Sequence, residues 1–494
     1  MTALLPLMVA LPLGAAFVLP LFPRRPRRAG DLLAGLISGV LLVLAVILSG
    51  RFGIYEIGGW RMPMGINLAL DGLSAPVLLL AAAVGLAAVL FSSAYLDTYA
   101  GRNRYWALLM LMTAGINGTI LSGDIFNRFV FVEIAVISSY ILVGFSGRGR
   151  ALAAAIRYGL LGAGAANFTL LGVAVLYALH GTVNVAHLAG SVPAAGTSVP
   201  GPEILFAALL MVIGFGYKSA AAPLHVWQPD ALAAAPAPVA AFLAGALIPA
   251  AGVYALARTL FTVFGHAEAL GWMLLFPGLL SMLFGALTAP RRKDPRAFLS
   301  YQGISQVGYV LTGLGAAMVL AVRGEERAAG LAAAGAVFHL LNYGGAAALL
   351  FLAGGAAAPP GKPSRWSRLA GMAGAGSIAG IPPLGGFSSK LMIVAALWLG
   401  GFPLLAAAAA VTAVLAPVSF YRRRDEFLPP PAGPAGRTPP AMAAGLILLT
   451  TLVLGLSLAP LPGLRGRLLG PARAAVLDRE AYAAYLEPGE EERP

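Results

Sequence analysis

The sequence predicts an all-α polytopic membrane protein of about fourteen transmembrane helices, and three observations carry that prediction. Of its 494 residues, 59% are hydrophobic and only 11% charged, whereas a soluble chain carries roughly a quarter charged. Mean hydropathy is +0.83, and the apolar residues come in blocks near the roughly 20 residues a spanning helix needs. The charges gather between those blocks, in FPRRPRRAG (22–30), GRGR (147–150), RRKDPR (291–296) and YRRRDE (421–426). That is the pattern left when Lys and Arg are retained in cytoplasmic loops. The net charge of +13 belongs to it and not to nucleic-acid binding.

Each element follows from the same pattern. The first apolar run has no basic residues before it and arginines after it, the reverse of a cleaved signal, so it reads as the first helix. The spans are expected at about 2–22, 31–50, 72–95, 105–122, 125–146, 152–179, 203–228, 236–262, 270–289, 298–321, 328–353, 366–399, 402–421 and 440–461. The odd loops hold Arg24, Arg25, Arg27 and Arg28, then Arg102 and Arg104, Arg148 and Arg150, Arg291 to Lys293 with Arg296, Lys362 with Arg365 and Arg368, and Arg422 to Arg424. The loop after the seventh span is weak, with Asp230 alone. The even loops hold little net charge, which predicts both termini outside. Asp71 and Asp124 precede apolar runs and read as helix N-caps. The polar tail is expected to carry one amphipathic helix along 471–486.

The chain has no cysteine, which excludes iron–sulfur clusters, disulfides and thiolate zinc sites. Its histidines at 180, 187, 225, 266 and 339 show no metal-ligand spacing. No metal or cofactor is expected on this chain, and no nucleophile–His–acid set, carboxylate pair or dinucleotide fingerprint is present. GAGAAN (162–167) lies inside an apolar helix, where small residues serve close packing.

Four ionisable residues stand out inside the apolar blocks: Glu133 in FVFVEIAVISSY, Lys218 in GFGYKSAAAPLH, His339 in AVFHLLNYGG and Lys390 in GGFSSKLMIV. A charge at that depth costs roughly 3 kcal/mol on insertion scales, so such residues tend to be functional. Only Lys218, Lys293, Lys362 and Lys390 are lysines among 33 basic Lys and Arg residues, yet two of them sit inside spans. Lysine, unlike arginine, can lose its proton when desolvated, as a proton carrier requires. The bland alternatives are a static Glu133–Lys218 pair fixing helix register, a core His339 bonded to a carbonyl, and Lys390 neutralising carbonyls freed at a helix break. Two spans are broken, by PLHVWQPDALAAAPAP (223–238) and by AGIPPLGGFSSK (379–390). Such breaks persist at depth only if buried in protein or lining a hydrated cavity, and they mark transporter sites. His225, Pro223, Pro382, Pro383 and Gly385 are therefore candidates for proton access.

GDIFNRFVFVEIAVISSYILVGF, the stretch GFGYKSAAAPLHVWQPDALAAAPAPVAAFLAGAL, RAFLSYQGISQVGYV, FHLLNYGGAAALLFLAGG and AGIPPLGGFSSKLMIVAAL resemble the antiporter-like membrane subunits of respiratory complex I, Mrp-type antiporters and membrane-bound hydrogenases. IGGWRMPMGINLALDGLSA (57–75) looks most like the D-type member of the Mrp set or its hydrogenase counterpart. The resemblance implies two inverted five-helix repeats, each with a broken helix: an N-terminal region 1–104, repeats 105–262 and 270–421, and a last helix with polar tail, 422–494. It also implies that Glu133 pairs with Lys218, and that both join His339 and Lys390 in a polar axis at the midplane. Members of that axis are missing. Where the family reads GALLTKVGVY the chain has Ala250 for the lysine; where it reads HLLNHALYKALLF the chain has Tyr343 and Ala347.

The implied function is a proton- or cation-translocating subunit of a multisubunit complex in a prokaryotic plasma or inner membrane. Its partners would be further antiporter-like subunits and the lipid bilayer, not nucleic acid. Protons would enter at the two breaks, Glu133 holding Lys218 protonated until the pair separates. The alternatives are a structural or coupling subunit with a partly decayed channel, and a proton-coupled subunit energising uptake of another solute. If the assembly is an oxidoreductase of the NADH:quinone or hydrogenase type, its redox cofactors belong to other chains.

Overall fold

The computed structural model describes residues 2–21, 28–96, 101–193, 196, 199–356, 364–427 and 437–484. Arg24, Arg25, Arg27, Lys362 and the tail beyond 484 lie outside the described residues. The protein is predominantly helical, with ten helices among the described residues long and apolar enough to cross a bilayer. These are α1 (Thr2–Leu21), α2 (Ala29–Leu48), α3 (Ser74–Tyr95), α5 (Ile125–Ser146), α6 (Gly149–His180), α10 (Ala237–Phe264), α11 (Glu268–Arg291), α12 (Pro295–Val322), α13 (Glu326–Ala356) and α16 (Pro403–Arg422). The other four expected spans fall on the less apolar α4 (Arg102–Leu121), the shorter α17 (Pro440–Leu456) and two interrupted helices. Length and composition alone therefore return fewer than fourteen.

The first interruption follows α8 (Pro202–Lys218) and resumes as the short α9 (Gln228–Ala234). The second separates α14 (Arg365–Ala379) from α15 (Gly385–Leu399). Both lie at the proline runs picked out in the sequence, because proline has no N–H and disfavours helical backbone in the residue before it. The middle of α10, Leu243–Tyr254, is wound as a π-helix around Pro249, whose missing N–H cannot close an i→i−4 bond. The central stretches of α10 and α13 are buried all round, so polar groups on them cannot face lipid. α2, α6 and α16 line the periphery and expose Leu36, Leu160 and Val414 among many apolar residues.

Loops of one parity touch one another. Among the odd ones, Arg102 pairs with Asp31 at 2.6 Å, Arg150 with Asp294 at 3.7 Å, and Arg423 donates to the carbonyls of Arg292 and Lys293, both at 2.7 Å. Asp230, the lone charge of the weak loop, meets Arg157 at 3.2 Å. Among the even ones, a hairpin the sequence did not announce, β1 (Gly53–Glu56) with β2 (Asn67–Leu70), pairs antiparallel. Its Asn67 carbonyl takes the Gly123 N–H and its side chain takes Asn184 Nδ2, both at 2.9 Å. Asn184 caps the short α7 (Val185–Ser191).

The tail does not form one helix. It folds as α18 (Gly470–Leu477) and α19 (Arg479–Ala483), because Asp478 leaves helical geometry and caps α19 by accepting from the Ala481 N–H. It docks on the even-loop side: Arg479 donates to the carbonyls of Thr262, Val263, Leu188 and Val192, and Tyr482 is buried.

Candidate functional site

The first break is pinned on both sides. Ser219 and Ala220 donate to the carbonyls of Phe215 and Tyr217, and Ala222 N–H is taken by Ser281 Oγ at 2.7 Å. Between them Ala220 sits at φ 56°, a left-handed conformation that costs a non-glycine residue roughly 1–2 kcal/mol. Lys218 ends α8, where unpaired carbonyls favour a cation. Its Nζ donates to Glu133 Oε1 of α5 at 2.9 Å and lies 3.5 Å from the Gly162 carbonyl of α6. The lysine side chain is 3% exposed and the glutamate 19%, so the carboxylate holds the ammonium from the less buried side. Tyr140, two turns along α5, is part of this site and sequence reasoning passed over it. A side chain at Gly162 would collide with its hydroxyl, and among the described residues that buried hydroxyl has no partner. Behind it Tyr158 stacks on Trp227, centroids 4.1 Å apart. Gly162, the first residue of GAGAAN, thus lets α6 approach the ion pair.

His225 lies in the turn after the break and packs on Phe284 at 4.6 Å, with Tyr301 beyond at 6.3 Å. Among the described residues it makes no hydrogen bond to the ion pair. Pro223 sits at the break itself.

At the second break, Lys390 Nζ of α15 donates to the Ile378 carbonyl in the last turn of α14 at 2.7 Å. It also lies 5.3 Å from the centre of the Tyr309 ring. The lysine thus does meet a freed carbonyl, and at the same time it faces α12. His339 Nδ1 and Ser389 Oγ are 2.8 Å apart, with the Tyr309 ring 5.4 Å from the imidazole. Asn342, one turn from His339, takes Ser377 Oγ at 2.8 Å and abuts Gly385 and Gly386, where no side chain would fit. Pro382 and Pro383 form the turn between α14 and α15. The four candidates therefore resolve into two groups, Glu133 and Lys218 in direct contact at the first break, and His339 and Lys390, each beside the Tyr309 ring, at the second.

Between the groups, Ala250, Tyr343 and Ala347 are all buried. The stretch is nevertheless polar. Among the described residues the side-chain amide of Gln302 and the Gln306 Oε1 are buried without a hydrogen-bond partner, and the Tyr343 hydroxyl and the Gln228 amide face each other. Each unpartnered group would cost roughly 1–3 kcal/mol if left so. Two arginines inside α5 and α10 also escaped sequence reasoning. Arg258 is fully buried and pairs with Asp71 at 2.6 Å, under the Tyr482 ring at 5.0 Å. Arg128 donates to the Ser122 carbonyl at 2.7 Å. Asp71 is an N-cap as expected, accepting from Leu73 and Ser74, but it is also the counter-ion of Arg258. Nothing in its local sequence indicates a partner so far along the chain.

A family model described as NADH:quinone oxidoreductase/Mrp antiporter, TM matches residues 122–416. NADH-quinone oxidoreductase subunit N of Desulforudis audaxviator is 35% identical over 450 residues, 85% of this chain and 86% of that protein. The D-type Na(+)/H(+) antiporter subunit of Alkalihalophilus pseudofirmus is 31% identical, covering 77% of each chain. A chain in the structure of the Mrp complex from a Dietzia species superposes with a TM-score of 0.87 at 27% identity, covering 98% of this chain and 99% of that one.

Proposed function

The chain belongs to the NADH:quinone oxidoreductase/Mrp antiporter membrane family, and from that premise we propose that it carries protons across a prokaryotic plasma membrane as one subunit of a multisubunit complex, beside further antiporter-like subunits. The observation that carries the reading is the ion pair at the first break. A lysine 3% exposed bears its proton in an apolar body only because Glu133 stands 2.9 Å away. When the carboxylate withdraws, the ammonium is left with the Gly162 carbonyl at 3.5 Å and gives up its proton to water at the break. His339 and Lys390 would take the corresponding part at the second break, with His225, Pro223, Pro382, Pro383 and Gly385 framing access.

On this reading the chain has fourteen spans with both termini outside. The N-terminal region would be 1–104, the repeats 105–262 and 270–421, and the last helix with its tail 422–494. The segregation of odd and even loops into separate contact networks supports the alternation. The test is proton uptake by vesicles holding the purified complex. Glu133→Ala and Lys218→Ala should each abolish it; unchanged uptake in both would remove the proposal.

A further inference from the structure

The sequence suggested a gap between the two breaks, since Ala250 and Ala347 cannot hold a charge. The structure fills the gap with neutral groups. Gln228 opens α9 immediately beyond the first break and is fully buried. A Cβ at Gly303 on α12 would lie 2.6 Å from the Tyr343 hydroxyl and 3.3 Å from Gln228 Nε2, so the bare glycine is what admits both groups. Gln306 is one turn along α12 from Gly303, and Tyr309, beside the His339 ring, is nearly one turn further. Tyr343 and His339 are likewise a turn apart on α13. Gln302 completes the α12 face, its carbonyl 3.4 Å from Gln306 Nε2. Among the described residues, polar atoms of Gln302, Gln306 and His339 Nε2 have no hydrogen-bond partner, and the Tyr343 hydroxyl faces only the Gln228 amide. Buried polar groups that find no protein partner are satisfied by ordered water, and glutamine and tyrosine each both donate and accept.

We propose that Gln228, Gln302, Gln306 and Tyr343 position a water-filled relay that passes protons between the first break and His339 and Lys390 at the second, in place of the charged hand-over made by lysines. Each water accepts one proton and releases another, and the amides and phenol stay neutral throughout. About 6 Å separates Tyr343 from His339 along α13, a distance bridged by one or two waters. The relay rests on the proposed proton path and adds its route.

The test drives protons into vesicles holding the complex with an imposed potassium diffusion potential, so no redox reaction is needed. Tyr343→Phe with Gln306→Leu removes two members at nearly constant volume and should slow flux at least about tenfold. Gln306→Asn, which keeps an amide, should stay within about threefold of the parent. The parent flux should fall in D2O. If the double variant does not assemble, Tyr343→Phe alone removes a single oxygen and should slow flux in the same direction. Parent-like flux in the hydroxyl and amide deletions, with Glu133→Ala still inactive, would overturn the relay and leave the proton path standing. If Glu133→Ala and Lys218→Ala also conduct normally, the path falls and the relay with it.

Discussion

The Glu133–Lys218 pair can be separated from a merely structural ion pair by replacing both members together. Glu133→Leu alone leaves an ammonium 3% exposed with one carbonyl at 3.5 Å. Unpairing a buried charge in this way costs about 3–5 kcal/mol, at the lower end here because lysine can shed its proton instead. Lys218→Met alone costs less, since the Glu133 side chain is less deeply buried, 19% exposed. The double variant removes both charges, and well-packed apolar substitutes for a buried pair are often neutral or stabilising by about 1–4 kcal/mol. The complex carrying both changes should therefore melt at or above the parent temperature, while Glu133→Leu alone melts lower. In vesicles, the double variant should carry no proton flux despite its restored stability. A double variant that is both stable and fully conducting would refute the working role and leave the pair a register-setting device.

Other consequences are more local. Asp71→Asn should destabilise the protein by about 3 kcal/mol by unmating fully buried Arg258, read as a lower melting temperature that adding Arg258→Met partly restores. Gly162→Ala should slow proton flux severalfold by driving the Tyr140 hydroxyl off the Lys218 site, with little change in assembly. Arg479→Ala should cost about 2 kcal/mol and make the C-terminal segment open to protease, since four carbonyls lose their donor. Beside it His266, in the loop before α11, has its pKa lowered by burial and then by the Arg479 charge. The sign follows: a histidine depressed in the folded state contributes stability above its unfolded value of about 6.5 and loses it as pH falls below that. Acid should thus loosen the docked tail, and His266→Gln should flatten that pH dependence.

Much of this protein was written in composition and spacing. Apolar blocks of bilayer length leave the backbone no choice but helix, because lipid offers no hydrogen bonds. Prolines without an N–H placed both breaks, and the cost of a buried charge singled out Glu133, Lys218, His339 and Lys390. These properties are local, so sequence carries them. What only the tertiary structure decided is who meets whom. Lys218 reaches Glu133, 85 residues earlier, because the fold sets the end of α8 against the middle of α5. Arg258 was read past because its partner Asp71 is far away along the chain, and Asp71 looked like a complete N-cap. The tail became two docked helices because Arg479 and Tyr482 find carbonyls and a guanidinium waiting on the even-loop side. The stretch between the breaks looked broken in sequence because Ala250 and Ala347 replace charges there. Gln228, Gln302, Gln306 and Tyr343 are ordinary polar residues until α9, α12 and α13 bring them together around Gly303, where burial gives them a role.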